Sequence, residues 1–148
     1  MFLALFVGTV VLLCSLVFFG LATSLIIRLV VRFLPEESAD LAHLKIVGVM
    51  MTVTFITAAA HLVEIALWTT AFLLCGEMTG FERAFYFSAV NYTSLGYGDI
   101  VLSQRWRLLG PLEALNGLLL VGVSTAIMFA VLSRMVSPRV RFPTRPSV

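Results

Sequence analysis

Charge is what this chain has least of. Only 12% of its 148 residues are Asp, Glu, Lys or Arg, against roughly 25% in an ordinary soluble domain. The formal net charge of +2 is too small, and too dispersed along the chain, to neutralise phosphates, which excludes a nucleic-acid binder. Cysteine is nearly absent too. Cys14 and Cys75 both lie in apolar stretches and are expected to differ in depth by about 18 Å at 1.5 Å per residue, too far to bridge. Histidine is scarce: His43 and His61 are far apart, with no metal-ligand spacing and no nucleophile–base pair around them. An enzyme is therefore not expected, nor is a cofactor. No internal repeat is seen. What the chain does have is apolar surface, with 60% hydrophobic residues and a mean hydropathy of +1.04. These values describe an integral membrane protein.

Crossing a bilayer takes about 20 mostly apolar residues, and three stretches are long enough. The first spans residues 2–27 without a charge, the second 46–75 with only His61 and Glu64 interrupting, and the third 108–132 with Glu113 and Asn116. The first has no basic start and exceeds the roughly 7–15 residues of a signal-peptide core, so it reads as a retained helix. Arg28, Arg32, Lys45, Arg134, Arg139, Arg141 and Arg145 fall on one side of this arrangement, and Arg83, Arg105 and Arg107 on the other. The richer side is expected to be cytoplasmic, which sets the N-terminus outside and the C-terminus inside a cell membrane. The resulting divisions are an N-terminal helix (1–31), a cytoplasmic loop (32–45), a module of two helices with an outward segment between them (46–134), and a basic tail (135–148). The polar turn Pro35-Glu36-Glu37-Ser38-Ala39-Asp40 lies in the loop. Three prolines and three arginines in the tail suit an extended arm near anionic lipid.

The outward segment carries the chemistry. Thr79-Gly80-Phe81-Glu82 fits a capping box. The following run to Tyr92 is free of glycine and proline, which predicts a helix over 80–92 that is too short to span and is re-entrant. Irregular backbone beyond it is tolerated at membrane depth only where protein buries it or it lines a water-filled path. That backbone reads Thr93-Ser94-Leu95-Gly96-Tyr97-Gly98-Asp99.

Two glycines around a tyrosine, followed by Asp99, between two spanning helices and after a half-helix, resemble the selectivity filter of the potassium channel pore-loop superfamily, whose signature is Thr-Val-Gly-Tyr-Gly. The resemblance covers about half the chain and matches the order of outer helix (46–75), pore helix (80–92), filter (93–99) and inner helix (108–134). It implies an all-α membrane protein: three transmembrane helices plus a re-entrant pore helix and filter loop, forming a tetrameric pore. It also implies an ion path lined by Thr93, Ser94, Leu95, Gly96, Tyr97 and Gly98, with potassium held by backbone oxygens of Ser94, Leu95, Gly96 and Tyr97. Carbonyls that replace the hydration shell must point the same way. That requires alternating dihedrals, which Gly96 and Gly98 reach without steric cost. Asp99, Tyr86 and Phe87 fall at filter-supporting positions, with Tyr86 in reach of Asp99 and Tyr97 expected to brace against aromatic neighbours. The sequence departs from the family pattern in Ser94-Leu95 for Thr-Val, in Val90 where a pore-helix carboxylate is common, and in Leu102 for proline. Asn91 and Tyr92 are candidates to replace the missing contact.

Ionisable residues inside spans are costly and point to function. His61 and Glu64 share one helical face, as do Glu113 and Asn116. Glu64 lies about 16 Å and Asn116 about 12 Å from the outer helix ends, so the two faces are in reach of each other. Either Glu64 or Glu113 stands behind the filter in place of the absent carboxylate, or the pair only fixes packing. His61 is also a candidate pH sensor. Gly117 and Gly122 are candidates for a hinge or a close-packing point, and Ser124 and Thr125 for cavity hydroxyls. With arginine only at its end, the first helix is no voltage sensor, and its default role is bracing the rim. The expected function is passive potassium conduction by a homotetramer in a lipid bilayer, without nucleic acid or a soluble partner. The alternatives are a less selective monovalent cation channel and a non-conducting scaffold or accessory subunit that retains a filter-like loop.

Overall fold

The computed structural model describes residues 1–33 and 42–136. It contains four helices: α1 (Phe2–Phe33), α2 (Ala42–Leu74), α3 (Phe81–Tyr92) and α4 (Leu109–Val136), with no strand among the described residues. Three of them are long and apolar enough to cross a membrane, over Phe2–Val30, Leu44–Leu74 and Leu109–Met135. The all-α architecture with three spanning helices and one short helix between the second and third is the one the sequence predicts.

The ends differ from expectation. Residues 32–33 and 42–45, predicted as loop, are helical. Arg32 and Lys45 can run their aliphatic stems along the helix while their charges reach water, so the helices need not stop where the hydrocarbon does. The Pro35–Asp40 turn and the tail beyond residue 136 lie outside the described residues. The capping box at Thr79 does not form. Gly80 is the N-cap of α3, at φ 94°, with no side-chain capping bond. That conformation, open to glycine, starts the helix one residue later than predicted. Glu82 then sits in the first turn, where it still complements the helix dipole, but one position short of closing the box. Pro111 falls in the first turn of α4, where a missing N–H costs nothing.

Each long helix buries one stripe. On α1 it is Ala4, Gly8, Ser15, Phe19, Ile26 and Val30, a set that repeats after eleven residues, or about 3.67 per turn. On α4 it is Glu113, Asn116, Gly117, Leu120, Ser124, Val131 and Met135. Lipid is as apolar as these side chains, so close packing and interhelical hydrogen bonds hold the helices together rather than water exclusion. Gly8 lets α1 approach α4, because a Cβ there would lie 3.1 Å from Leu109 Cδ2. The largest cluster, Trp68, Phe72, Phe87, Tyr92, Trp106 and Leu109, wraps α3 between α2 and α4. Phe72 and Phe87 meet edge to face at 5.0 Å. A second cluster of Ile26, Val30, Val53, Val131 and Met135 closes the other end.

Candidate functional site

The end of α3 determines how the chain enters residues 93–99. Leu95 N–H donates to Val90 O at 2.9 Å and Ser94 N–H to Asn91 O at 2.8 Å, with Ser94 at φ +58°. This is a Schellman closure, in which a residue in the left-handed region turns the chain off the helix axis. A serine holds the place usually given to glycine, and nothing in the sequence pattern marked it. Thr93 Oγ1 donates back to Ala89 O at 2.7 Å, so its hydroxyl proton is committed to the helix. Beyond the turn, Gly96 and Gly98 stand at φ +58° and +74°. Left-handed residues therefore occur at every second position from 94 to 98, which extends the alternation expected of the two glycines by one residue. Thr93 through Asp99 are all exposed on the single chain.

The far end of this segment is tied down on two sides. Tyr86 Oη donates to Asp99 Oδ2 at 2.8 Å, the bond foreseen from sequence. That bond stabilises the protonated phenol and, with lesser contributions from desolvation and nearby charge, raises the Tyr86 pKa. Glu77, which the sequence did not single out, accepts from Ser103 N–H at 2.8 Å and from Ser103 Oγ at 2.6 Å, joining the segments that precede α3 and α4. Phe87 turns toward Phe72 on α2. Tyr97 is 67% exposed and has no aromatic partner among the described residues of its own chain. Val90 and Asn91 line a cavity of about 310 Å³ with Gly96, Gly98 and Leu102. Asn91 Nδ2 donates to Phe87 O at 3.2 Å, so its amide is turned back along the helix rather than toward residues 95–98.

The polar residues of the spans meet through serines. Glu64 accepts from Ser15 of α1, and Asn116 Nδ2 donates to the same Ser15 Oγ at 2.7 Å. The two faces predicted to be in reach are thus joined by a hydroxyl from α1. Glu113 pairs instead with Ser88 of α3, whose Oγ also reaches Ile65 O at 2.9 Å. All five side chains are fully buried. His61 Nδ1 lies 2.7 Å from Tyr92 Oη and its Nε2 2.8 Å from Ser124 Oγ. Ser124 is therefore a buried partner of His61 rather than a cavity hydroxyl, while Thr125 bonds its own helix at Val121 O. Gly117 is a packing point: a Cβ there would overlap the Tyr92 carbonyl oxygen and lie 2.9 Å from its carbon. Gly122 is exposed and meets nothing within 4 Å. Cys14 and Cys75 are both free.

Ser15 is the partner that both Glu64 and Asn116 depend on. Glu64 Oε1 and Asn116 Oδ1 are buried without a protein partner, so removing the hydroxyl strips two buried polar groups of their side-chain bond. Leaving a buried group unsatisfied costs about 1–3 kcal/mol. Ser15→Ala is expected to lower unfolding stability in detergent by at least about that much, whereas Ser24→Ala, at an exposed position of α1, leaves it unchanged. Denaturant titration followed by tryptophan fluorescence measures both.

The sequence located the glycine-rich segment between the spanning helices, the Tyr86–Asp99 bond and the buried acids. It missed Ser15, Ser88 and the pairing of His61 with Tyr92, because a hydroxyl in an apolar helix ordinarily bonds its own backbone. Neither the curated proteins nor the solved structures gave a significant match to the chain. A family model described as "Ion channel" matches residues 60–134, from the middle of α2 through α3 and the exposed segment into the last turn of α4. The chain is a multi-pass membrane protein that belongs to this ion channel family.

Proposed function

We propose that the chain conducts potassium ions passively through a homotetramer whose filter is the backbone of residues 93–98. The observation that carries this reading is the alternation of left-handed residues at Ser94, Gly96 and Gly98 in a fully exposed segment held between two spanning helices. Alternate dihedrals of this kind turn successive carbonyls toward one side. Unpaired carbonyls inside a membrane protein cost several kcal/mol each unless they find partners. Cations can be those partners, and carbonyl rings can stand in for the ions' hydration. A single strand cannot surround an ion, and four copies about one axis can, in the closed cyclic arrangement usual for oligomers. The exposed apolar face of α4, including Leu115, Leu118, Leu119 and Phe129, supplies surface for neighbouring copies and an inner cavity. The excess of basic residues on one side orients the N-terminus outward in a cell membrane.

Purified chain in liposomes with a potassium gradient tests the reading. Barium-sensitive potassium flux, with a mixed-ion reversal potential that follows potassium, is expected. Equal passage of sodium would favour the less selective channel suggested by Ser94-Leu95. Absence of flux from a verified tetramer would favour a scaffold.

A further inference from the structure

His61 touches all three of the other helices. Phe19 of α1 lies over its ring at 5.3 Å, Tyr92 of α3 meets it edge-on at 5.8 Å, and Ser124 of α4 bonds its Nε2. Proton counting orders the chain of bonds. Ser124 has one hydroxyl proton, and Oγ donates it to Leu120 O at 2.8 Å. Toward His61, Ser124 Oγ is then an acceptor, so Nε2 carries the ring proton and donates. A neutral ring with a proton on Nε2 has a bare Nδ1, which accepts from Tyr92 O–H at 2.7 Å. With Ser124 donating to Leu120 O and the ring neutral, the bonds run Tyr92 → His61 → Ser124 → Leu120 O and end on the backbone of α4, and this is the tautomer the proposal takes for His61.

Tyr92 is the last residue of α3, directly before Thr93. Its side chain is 3% exposed, its hydroxyl is held by His61, and its carbonyl rests against Gly117. We propose that Tyr92, His61 and Ser124 are positioning residues that lock the end of the pore helix, and so the first filter carbonyls, against α4. The role rests on the channel reading given above. The hydrogen bonds of His61 join the C-terminal residue of α3 to both α2 and α4. Losing the Tyr92–His61 bond frees the helix end to rotate, and the filter's ion preference then degrades.

The test uses the full chain in two arms. In the first, solid-state NMR of isotope-labelled histidine in the wild-type protein reads the ring directly, whether or not the protein conducts. A protonated Nε2 with a bare Nδ1 at His61 is expected, and the opposite tautomer or a doubly protonated ring overturns the proposal. In the second, reversal potentials in mixed potassium and sodium compare variants. Tyr92→Phe keeps the ring and removes the donor, and is expected to reduce the potassium-to-sodium permeability ratio by about two- to tenfold, the worth of one buried hydrogen bond. Asparagine at 61 offers an acceptor near the Nδ1 position, and glutamine a donor near Nε2. His61→Asn is accordingly expected to retain most of the parental ratio and His61→Gln to lose it. An unaltered ratio in Tyr92→Phe overturns the proposal. If Tyr92→Phe does not assemble, equal ratios in the two His61 variants overturn it instead. A wild-type protein with the expected tautomer but no conduction defeats the channel reading alone.

Discussion

Gly117→Ala is expected to abolish conduction and to destabilise the assembled protein. The added methyl would overlap the Tyr92 carbonyl oxygen and come within 2.9 Å of its carbon. The obstacle is backbone, so no rotamer change relieves it. Either α4 backs away from α3 or the last turn of α3 moves. Overpacking of this kind costs about 1–3 kcal/mol even where flexible side chains can yield. Here the displaced group is the peptide that leads into the proposed filter, so the geometric consequence is larger than the energetic one. At Gly8 the nearest atoms belong to the ends of Leu112 and Leu109, which can turn aside, so Gly8→Ala is milder. Gly20→Ala, with nothing within 4 Å on the exposed face of α1, removes a helix-weakening glycine and is expected to leave flux unchanged. Liposome flux and the detergent unfolding midpoint of these variants separate a specific contact from a general intolerance of substitution. Retention of wild-type flux by Gly117→Ala would mean that the close approach of α3 to α4 is not needed for conduction.

The contact at Gly117 belongs to a continuous arrangement. Asn116, its neighbour, holds Ser15 of α1, and Ser15 bonds Glu64 of α2. One turn earlier on α4, Glu113 holds Ser88 of α3. Small residues admit the helices and polar ones join them, the pattern expected where the solvent is hydrocarbon and apolar packing alone gives little specificity. α1 is therefore fastened into the module by hydrogen bonds at its middle, a tighter relation than the lipid-facing brace its composition suggests.

Those fastenings explain what could and could not be read from the amino-acid order. Span number, the short helix and the glycine-rich strand were legible because hydropathy and a local motif report them directly. Which face of each helix is buried was not. Residues exposed on the single chain, such as Phe2, Val17, Met51 and Phe55, are as apolar as those packed inside, so the stripe of Ala4, Gly8, Ser15, Phe19, Ile26 and Val30 leaves no amphipathic signature of the kind a soluble helix shows. The acids announced themselves by their cost in a membrane, but their partners were serines, which sequence cannot distinguish from hydroxyls that cap their own helix. Thr79 looked like a cap because residue types fix a capping box only when the backbone enters at that position, and Gly80 moved the entry. Ser94 in the left-handed region was equally invisible: it is required by the closure of α3, a tertiary circumstance, while serine itself prefers other dihedrals.

The effect of Gly96→Ala separates the proposed conduction mechanism from mere tolerance of a methyl group. Within one chain nothing lies within 4 Å of a Cβ at this position, so crowding is not the difficulty. The difficulty is φ +58°, which costs an L-residue with a side chain about 1–2 kcal/mol. Relaxing to a negative φ swings the preceding peptide and carries the Leu95 carbonyl away from its neighbours. In a ring of four the cost is incurred four times, about 4–8 kcal/mol in all. At a factor of ten per 1.4 kcal/mol, the population with every carbonyl aligned falls by roughly a thousandfold or more. Potassium flux is expected to fall below detection while the protein still assembles, since residues 93–99 are exposed and contribute little to the core. Gly98, at φ +74°, predicts the same outcome for Gly98→Ala. A D-alanine introduced at position 96 by semisynthesis has the same bulk with the opposite dihedral preference, and is expected to restore flux. Wild-type flux from Gly96→Ala, or equal loss with either hand of alanine, would show that the left-handed backbone at Gly96 is not what conducts the ion.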